Sequence, residues 1–548
     1  MFLHLARFIP FFAVKRPKPM ASKTQIPRSF FQHRYLNGQQ LWWWYRNSLR
    51  AGFRAFSRHR YTWNPRYGEV AAIPRMLGSI PAPTSYLGQK KFRFLNLEHQ
   101  FPNGIDWNYA GQGDQWRLHL NYFDFLNQPG MSGTVGFRLI DRFLDAFDKS
   151  TAEIPRVLAR RLYNWVKFLA REQNSNARIE SAMHAQLKML QDQLEIHLSG
   201  HTLLEEAMAL VLGAWYLRKK NALRQGEKWL RRELEKQIFP DGGHRERSPM
   251  YHQQVLFRLL DLINVIQNNP WEDTALLDDL KEKASHMLGW LMAITFSNGS
   301  IPLMGDCANG LAPASLSLKY YAGRLGILPM AVRLKESGFR RLEGAHYQLI
   351  VSAGPETESK VPYHGHCDLL SFVLFAHEYP CLTDTGTSTY EANERRQEER
   401  STRSHNTVEI GGLEQSRMRG RFQVGRQATV RLLMDAEDRL EAEHDGFQSK
   451  GITHRREFIA SPKQLRIVDS LKGRRRDQSG QAHFHFAPGA QPRLQGEQVV
   501  VGDVALRFHG QEAISLKPYH YSPEFNRRVE SVKLVVTFKN QLQTVFDF

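Results

Sequence analysis

Four side chains in the second half of the chain could together do chemistry. His364-Gly365-His366-Cys367-Asp368 offers two imidazoles two residues apart. Asp384 follows in Leu382-Thr383-Asp384-Thr385-Gly386, and His405 in Ser404-His405-Asn406-Thr407. Two imidazoles and a carboxylate suit zinc or a similar divalent ion. A further histidine beside them suits proton transfer. If residues 364–368 open a strand, alternation puts His364, His366 and Asp368 on one face. Asp368 or Asn406 could then accept the other N–H of a ligand ring. The chain holds 22 histidines, so chance His-x-His pairs are expected and a structural hydrogen-bond network is the competing reading.

Elements of two kinds must position these groups. From about 135 to 330 the apolar period is helical: Leu158, Leu162, Trp165 and Leu169 share a face, as do Met183, Leu187, Leu190 and Leu194. Further helical stretches follow at 203–218, 224–238, 251–267 and 275–295. Short connections suggest helical hairpins in series, as in a helical array or toroid. From about 345 the period becomes two. Strands are expected at Tyr347–Ser352, Leu370–Phe375, Thr407–Ile410, Thr429–Met434, Gln464–Val468 and Val532–Phe538. Helices first and strands afterwards imply an α+β chain with a separate antiparallel β-sandwich.

The chain has 548 residues, 42% hydrophobic and 24% charged, so a globular protein of two large domains is expected. The net charge is +19. That favours an anionic partner (nucleic acid, membrane surface or acidic polysaccharide) or reflects a solvated basic surface. Cys307, Cys367 and Cys381 form no C-x-x-C pair, which argues against a cysteine zinc site or a disulfide framework. No apolar run is long enough to span a membrane. The N-terminal run from Phe8 to Val14 is a poor secretory signal. A basic amphipathic anchor, with peripheral membrane contact, or a start at Met20 are both open. Residues 1–80 form a basic, aromatic arm. Its Trp42, Trp43, Trp44, Tyr45, Arg46, Arg50 and Arg54 could stack on sugars or bases, or dock on the main body.

The segment around His364, the Asp384-Thr385-Gly386 turn and Arg403-Ser404-His405-Asn406-Thr407 resemble the C-terminal signature of heparinase II/III-type polysaccharide lyases. Earlier stretches resemble that family's N-terminal motifs: Ile105-Asp106-Trp107-Asn108, Trp116-Arg117-Leu118-His119-Leu120, and Pro240-Asp241-Gly242-Gly243-His244 through Ser248-Pro249-Met250-Tyr251-His252. The resemblance covers roughly residues 90 to 490. It implies an incomplete (α/α) toroid over 81–335, a β-sandwich over 340–548, and zinc or another divalent cation in the β half. By position it makes His366, Asp384 and His405 metal ligands and His364 a catalytic histidine. Tyr251 becomes the Brønsted acid and, in some members, the base.

Such chemistry is β-elimination on a uronate polymer. A base takes the C5 proton, the C4–O bond breaks, and the neighbouring carboxylate must be neutralised to stabilise the enolate-like transition state. His201, His364 and Arg247 are candidates for that neutralisation. Tyr251 is the candidate general acid, and Tyr251 or a histidine the base. In many relatives the stretch corresponding to Gly200-His201-Thr202 reads Gly-Asn-His, the Asn holding the carboxylate. Here His201 takes that place, and a structural hydrogen bond is its alternative role. Glu205 could orient His201 from the next helical turn, and Glu246 could orient Arg247. Trp107, Asn108, Trp116, Arg117 and His119 could line a sugar groove, although packing explains the tryptophans equally well. Arg395, Arg396, Arg400 and Arg403 could pair with acidic sugars or form a solvated loop. Substrate contacts are therefore expected from Trp107, Asn108, Arg117, Glu205, Glu246 and Arg403.

A lyase on an acidic polysaccharide is the leading reading. The alternative is a hydrolase or non-catalytic glycan-binding protein serving synthesis or export of a cell-surface polymer. Nucleic-acid binding rests on charge alone and has no motif to support it. The resemblance suggests the periplasm or cell envelope, with the cytoplasm as the alternative. Polymer identity, sulfation, endo or exo action and oligomeric state stay open.

Overall fold

The computed structural model describes residues 72–146, 154–196, 200–272, 275–354, 364–473 and 477–548. The aromatic cluster Trp42–Tyr45 and its arginines, like His197, lie outside them. Among the described residues the helical half comprises α1 (Asp114–Tyr122), α2 (Gly133–Asp145), α3 (Pro155–Glu172), α4 (Ala177–Gln193), α5 (His201–Tyr216), α6 (Lys220–Gln237), α7 (Pro249–Asn268), α8 (Leu276–Ile294) and α9 (Ser315–Arg324). The six periodic stretches match α3 to α8. Helices α1, α2 and α9 were not anticipated as elements, nor was the hairpin Lys91–Phe94 with Leu97–Gln100.

Helix α5 packs against α3, α4, α6 and α7. From Leu203 to Tyr216 every residue is buried, as expected for a helix apolar on all sides. Helix α7 is nearly as buried. The first turns of these two helices carry His201 and Tyr251, so both side chains stand on enclosed elements.

The β half has a four-stranded antiparallel sheet, Phe339–Glu343, Tyr347–Ser352, Phe372–Ala376 and Tyr379–Leu382 in that order. A ten-stranded antiparallel sheet faces it, built around the long hairpin Val504–Glu524 with Arg527–Asp547. Alternation explains why the small sheet is buried on both faces. Leu349, Val351, Phe372 and Leu374 pack with Phe458, Ile467, Phe484 and Val536 of the large sheet. Ile350, Val373 and Phe375 point the other way and join the helical core. The described helices and sheets thus belong to one compact unit, the small sheet serving as their shared layer.

Residues 364–371 are not a strand. Pairing begins only at Phe372, and Leu370 sits at φ 58°. The two histidines are grouped by a shared partner rather than by strand alternation.

Candidate active site at the seam of helices and sheets

Helix α5 begins at His201, after Gly200 at φ 132°. The first N–H groups of a helix lack internal partners and attract negative charge. Glu246 meets that need. Its Oε1 accepts the His201 backbone N–H at 2.8 Å, and its Oε2 lies 2.8 Å from His201 Nδ1. Helix α7 begins after Ser248, whose hydroxyl accepts the Tyr251 N–H at 3.3 Å, with Pro249 in its first position. The Pro240–His244 motif is an anchor rather than chemistry. Asp241 Oδ2 accepts the N–H groups of Lys335 and Ser337 and the Ser337 hydroxyl.

The rings of Tyr251, His201 and His364 form a triangle, with centroids 4.4 Å apart for Tyr251 and His201, 4.1 Å for Tyr251 and His364, and 5.5 Å for the two imidazoles. Its hydroxyl is 3.1 Å from that of Tyr390. His364 Nδ1 is 2.8 Å from Asp306 Oδ2, and His364 Nε2 stands 3.6 Å from Glu246 Oε2. Asp306 also takes His366 Nε2 at 2.8 Å and a bidentate pair from Arg396, with Nη2 at 2.7 Å. Gly305, at φ 62°, permits this. A Cβ there would come within 2.9 Å of the His364 carbonyl oxygen, which accepts the Asp306 N–H.

Electrostatics divide the labour. Burial disfavours a charged His201, but Glu246 and its hydrogen bond outweigh burial and raise the His201 pKa. Burial would raise Glu246, yet His201 and His364 hold it far below the usual carboxylate range. Asp306 stays ionised against burial through Arg396 and the two histidines. Burial drives Tyr251 and Tyr390 well above the usual phenol value, so both keep their protons. His244, behind Glu246, is pushed down to about 4 by burial.

The β-half trio is arranged differently. His405 Nδ1 meets Asp384 Oδ2 at 2.7 Å, and the His366 and His405 rings are 5.3 Å apart. His366 Nδ1 and His405 Nε2 are buried without hydrogen-bond partners. Leaving such groups unpaired costs roughly 1–3 kcal/mol each, so these two nitrogens fit a cation between the rings. Burial takes His366 down to about 4, leaving it neutral. His405 is raised: burial opposes its charge, but Asp384 prevails, so a ligating His405 would give up its second ring proton. The tighter donor set is another one. Among the described residues, His201, Glu246 and His364 form the group whose donor atoms all lie within 4.8 Å of one another. His366, Asp384 and His405 are more widely spread.

Several sequence expectations need correction. Arg247 does not face Tyr251. At φ 55° it sends its guanidinium to the Ser337 carbonyl and the Ser352 hydroxyl, fastening helices to the small sheet. Glu246 orients His201, not Arg247, and Glu205 instead binds Arg160 and Arg258. Those cations overcome burial and bring Glu205 down to about 2. Trp107 is core, stacked 5.1 Å from Phe123, and Trp116 is fully buried with its indole N–H on the Leu97 carbonyl. His119 is packed against Tyr122 and lowered to about 4 by burial. Asn108 is half-buried, its N–H on Asp106. Arg117 pairs with Asp114 at 3.2 Å. Arg396 and Arg400 are fully buried, Arg400 holding carbonyls of Gly365 and Arg421. Arg403 is exposed, beside Lys533, which donates to its carbonyl. Asn406 ties the carbonyls of Phe372 and Thr383 to the N–H of His485. The three cysteines are free and buried.

Sequence reasoning passed over Asp306, Tyr390 and Arg160. Asp306 had a signal, an acid inside the apolar run Ile301–Ala308. Arg160 lies 4.6 Å over the Tyr122 ring and 3.1 Å from Gln254 as well as on Glu205.

Comparison with known proteins agrees with this architecture. Residues 182–334 match the family model described as Heparinase II/III N-terminus, and residues 327–548 match Heparinase II/III-like, C-terminal. A heparin-sulfate lyase of Bacteroides stercoris is 24% identical over 324 residues, covering 52% of this chain and 45% of the relative. This chain thus aligns with somewhat under half of that relative's length. A crystal structure of heparinase III superposes with TM-score 0.66 at 17% identity, covering 85% of this chain and 82% of that one. Heparan sulfate lyase from Pedobacter heparinus superposes with TM-score 0.53 at 16% identity, covering 84% and 81%. The fold is a helical toroid followed by an antiparallel β-sandwich.

Proposed function

Because this chain belongs to the heparinase II/III-like family, we propose that it is a polysaccharide lyase cleaving an acidic, uronate-containing polymer by β-elimination. One observation carries the reading: a protonated tyrosine in contact with two imidazoles that also contact each other, each imidazole fixed by its own carboxylate.

The roles follow from which atoms are occupied. His201, kept cationic by Glu246, donates to the uronate carboxylate and neutralises it as negative charge develops. His364 has Nδ1 on ionised Asp306, and its Nε2, in the unprotonated form, takes the C5 proton. As the C4–O bond breaks, its electron pair stays on the leaving oxygen, and Tyr251 protonates that oxygen. Tyr390 steadies the Tyr251 hydroxyl, and once product leaves, the proton taken up by His364 passes to solvent while solvent reprotonates Tyr251. Arg160 adds positive potential behind His201 while remaining on Glu205. Asn108 and Arg117 are retained as groove residues, Arg117 because Asp114 beside it approaches Arg421 of the β half at 3.8 Å.

A divalent ion, zinc by its donor set, would be held by His366, Asp384 and His405. It would supply charge and cross-linking that hold the sandwich wall of the groove. No helix among the described residues is long and apolar enough to cross a membrane. We place the reaction in the periplasm or cell envelope, where such polymers occur, and cell fractionation tests that placement. The chemistry is tested by recording the ultraviolet band of unsaturated uronates against a panel of acidic polymers. Reducing ends without that chromophore would replace the lyase by a hydrolase.

A further inference from the structure

We propose that His201, Glu246 and His364 also bind a divalent transition-metal ion of the zinc class, and that this ion excludes the substrate carboxylate. The second clause rests on the function proposed above; the first does not.

Two imidazoles and one carboxylate are a donor set that zinc takes with a fourth position left open. Their donor atoms already lie within 4.8 Å of one another. His201 Nδ1 and His364 Nε2 converge on the same Glu246 oxygen, at 2.8 and 3.6 Å. The His364 tautomer is preset. Its Nδ1 is on Asp306, so Nε2 presents a lone pair, and a carboxylate behind a ligand histidine is the usual support of a zinc site. Asp306 cannot swing away, because Arg396 and His366 hold it too. The His201 side chain is 18% exposed, which opens the group to small ions. Coordination replaces the His201–Glu246 hydrogen bond. It also occupies the lone pair proposed as base and turns His201 from the carboxylate subsite. Occupancy therefore switches the reaction off. The site is separate from the His366, Asp384 and His405 trio, where both ring nitrogens in question are fully enclosed.

The test uses the full chain, stripped by a chelator and titrated with Co²⁺. The expected result is a visible absorption band of a low-coordinate cobalt site. Because the His366, Asp384 and His405 trio would also take Co²⁺, the seam band is the part that persists in His405→Ala, and Glu246→Gln should weaken the binding that gives this part at least ~10-fold. Far-ultraviolet circular dichroism establishes that each variant folds. In the unmutated protein, glucuronate should displace the bound Co²⁺, and Zn²⁺ should abolish turnover in step with occupancy. Unchanged Co²⁺ affinity in folded Glu246→Gln would overturn the metal site. Full activity at saturating Zn²⁺ would overturn the exclusion. A Co²⁺ site lost in Glu246→Gln, in a protein that never produces the unsaturated chromophore, would uphold the site and remove the lyase reading alone.

Discussion

Two histidine clusters lie on either side of Asp306, and they differ in how far their second ring nitrogens are enclosed. In the seam cluster, His201 and His364 each have a carboxylate partner, and His201 reaches the surface. In the β-half cluster, His366 and His405 also have a carboxylate each, Asp306 and Asp384, but they are as enclosed as the core, and each keeps a buried nitrogen with no partner. The first arrangement leaves ring nitrogens near the surface, as the proposed reaction requires. The second tolerates unpaired buried nitrogens, which is costly unless a cation completes them. The difference teaches that the same pairing of imidazole with carboxylate suits different tasks according to whether the remaining nitrogen is enclosed or reaches towards the surface. Asp306 joins the two, holding one histidine of each.

That contrast can be broken at graded cost. Tyr251→Phe removes the proposed proton donor beside the seam imidazoles and should lower kcat by roughly 10³-fold with an unchanged circular dichroism spectrum. Near-normal turnover would take Tyr251 out of the reaction. Asp306→Ala leaves Arg396 buried and unpaired and should cost about 3–5 kcal/mol, read from denaturant midpoints. A loss below about 1 kcal/mol would mean that Asp306 does not join the clusters. His405→Ala should lose bound metal and lower the melting temperature together, because metal binding and folding are linked. Elemental analysis that finds no metal in the unmutated protein would remove the supporting role given to the β-half cluster.

A pH profile sharpens the seam side. The folded pKa of His201 is raised above its ordinary 6.5. Its stabilising pairing with Glu246 is therefore fully present below that ordinary value and is lost as pH rises through the folded one. Under the proposed mechanism the cationic ring is the active form, so kcat/KM should fall on the same alkaline limb. Glu246→Gln should move that limb to lower pH, and a limb that stays put would detach His201 from the charge-neutralising role. Arg403→Ala should change kcat/KM by less than about 2-fold, as surface substitutions generally do little; a large loss would put the groove wall further into the β half.

The sequence made the helices α3 to α8 legible, because each carries a long apolar period that local geometry translates directly. The shorter α1 and α9 and the first hairpin carried too little period to be seen. Tyr251, His201 and His364 were legible through motif order, and the structure places them in mutual contact. Arg247, Trp107 and Arg396 were misread for one reason. Type and spacing show that a guanidinium or indole is available, not whether the fold already uses it. Arg396 lies among exposed-looking charges in sequence, yet Asp306, ninety residues earlier, draws it fully inside.

What the sequence by itself determined is the order of helices and strands, the family and the residue types at the seam. Those depend on local periodicity and on motifs a few residues long. Only the tertiary structure decided that Glu246 rather than Glu205 orients His201, that Tyr390 meets Tyr251, and that Asp306 links the two clusters. Each of these pairings spans 45 to 139 residues. Burial then fixed which groups hold their protons, and no local pattern encodes that.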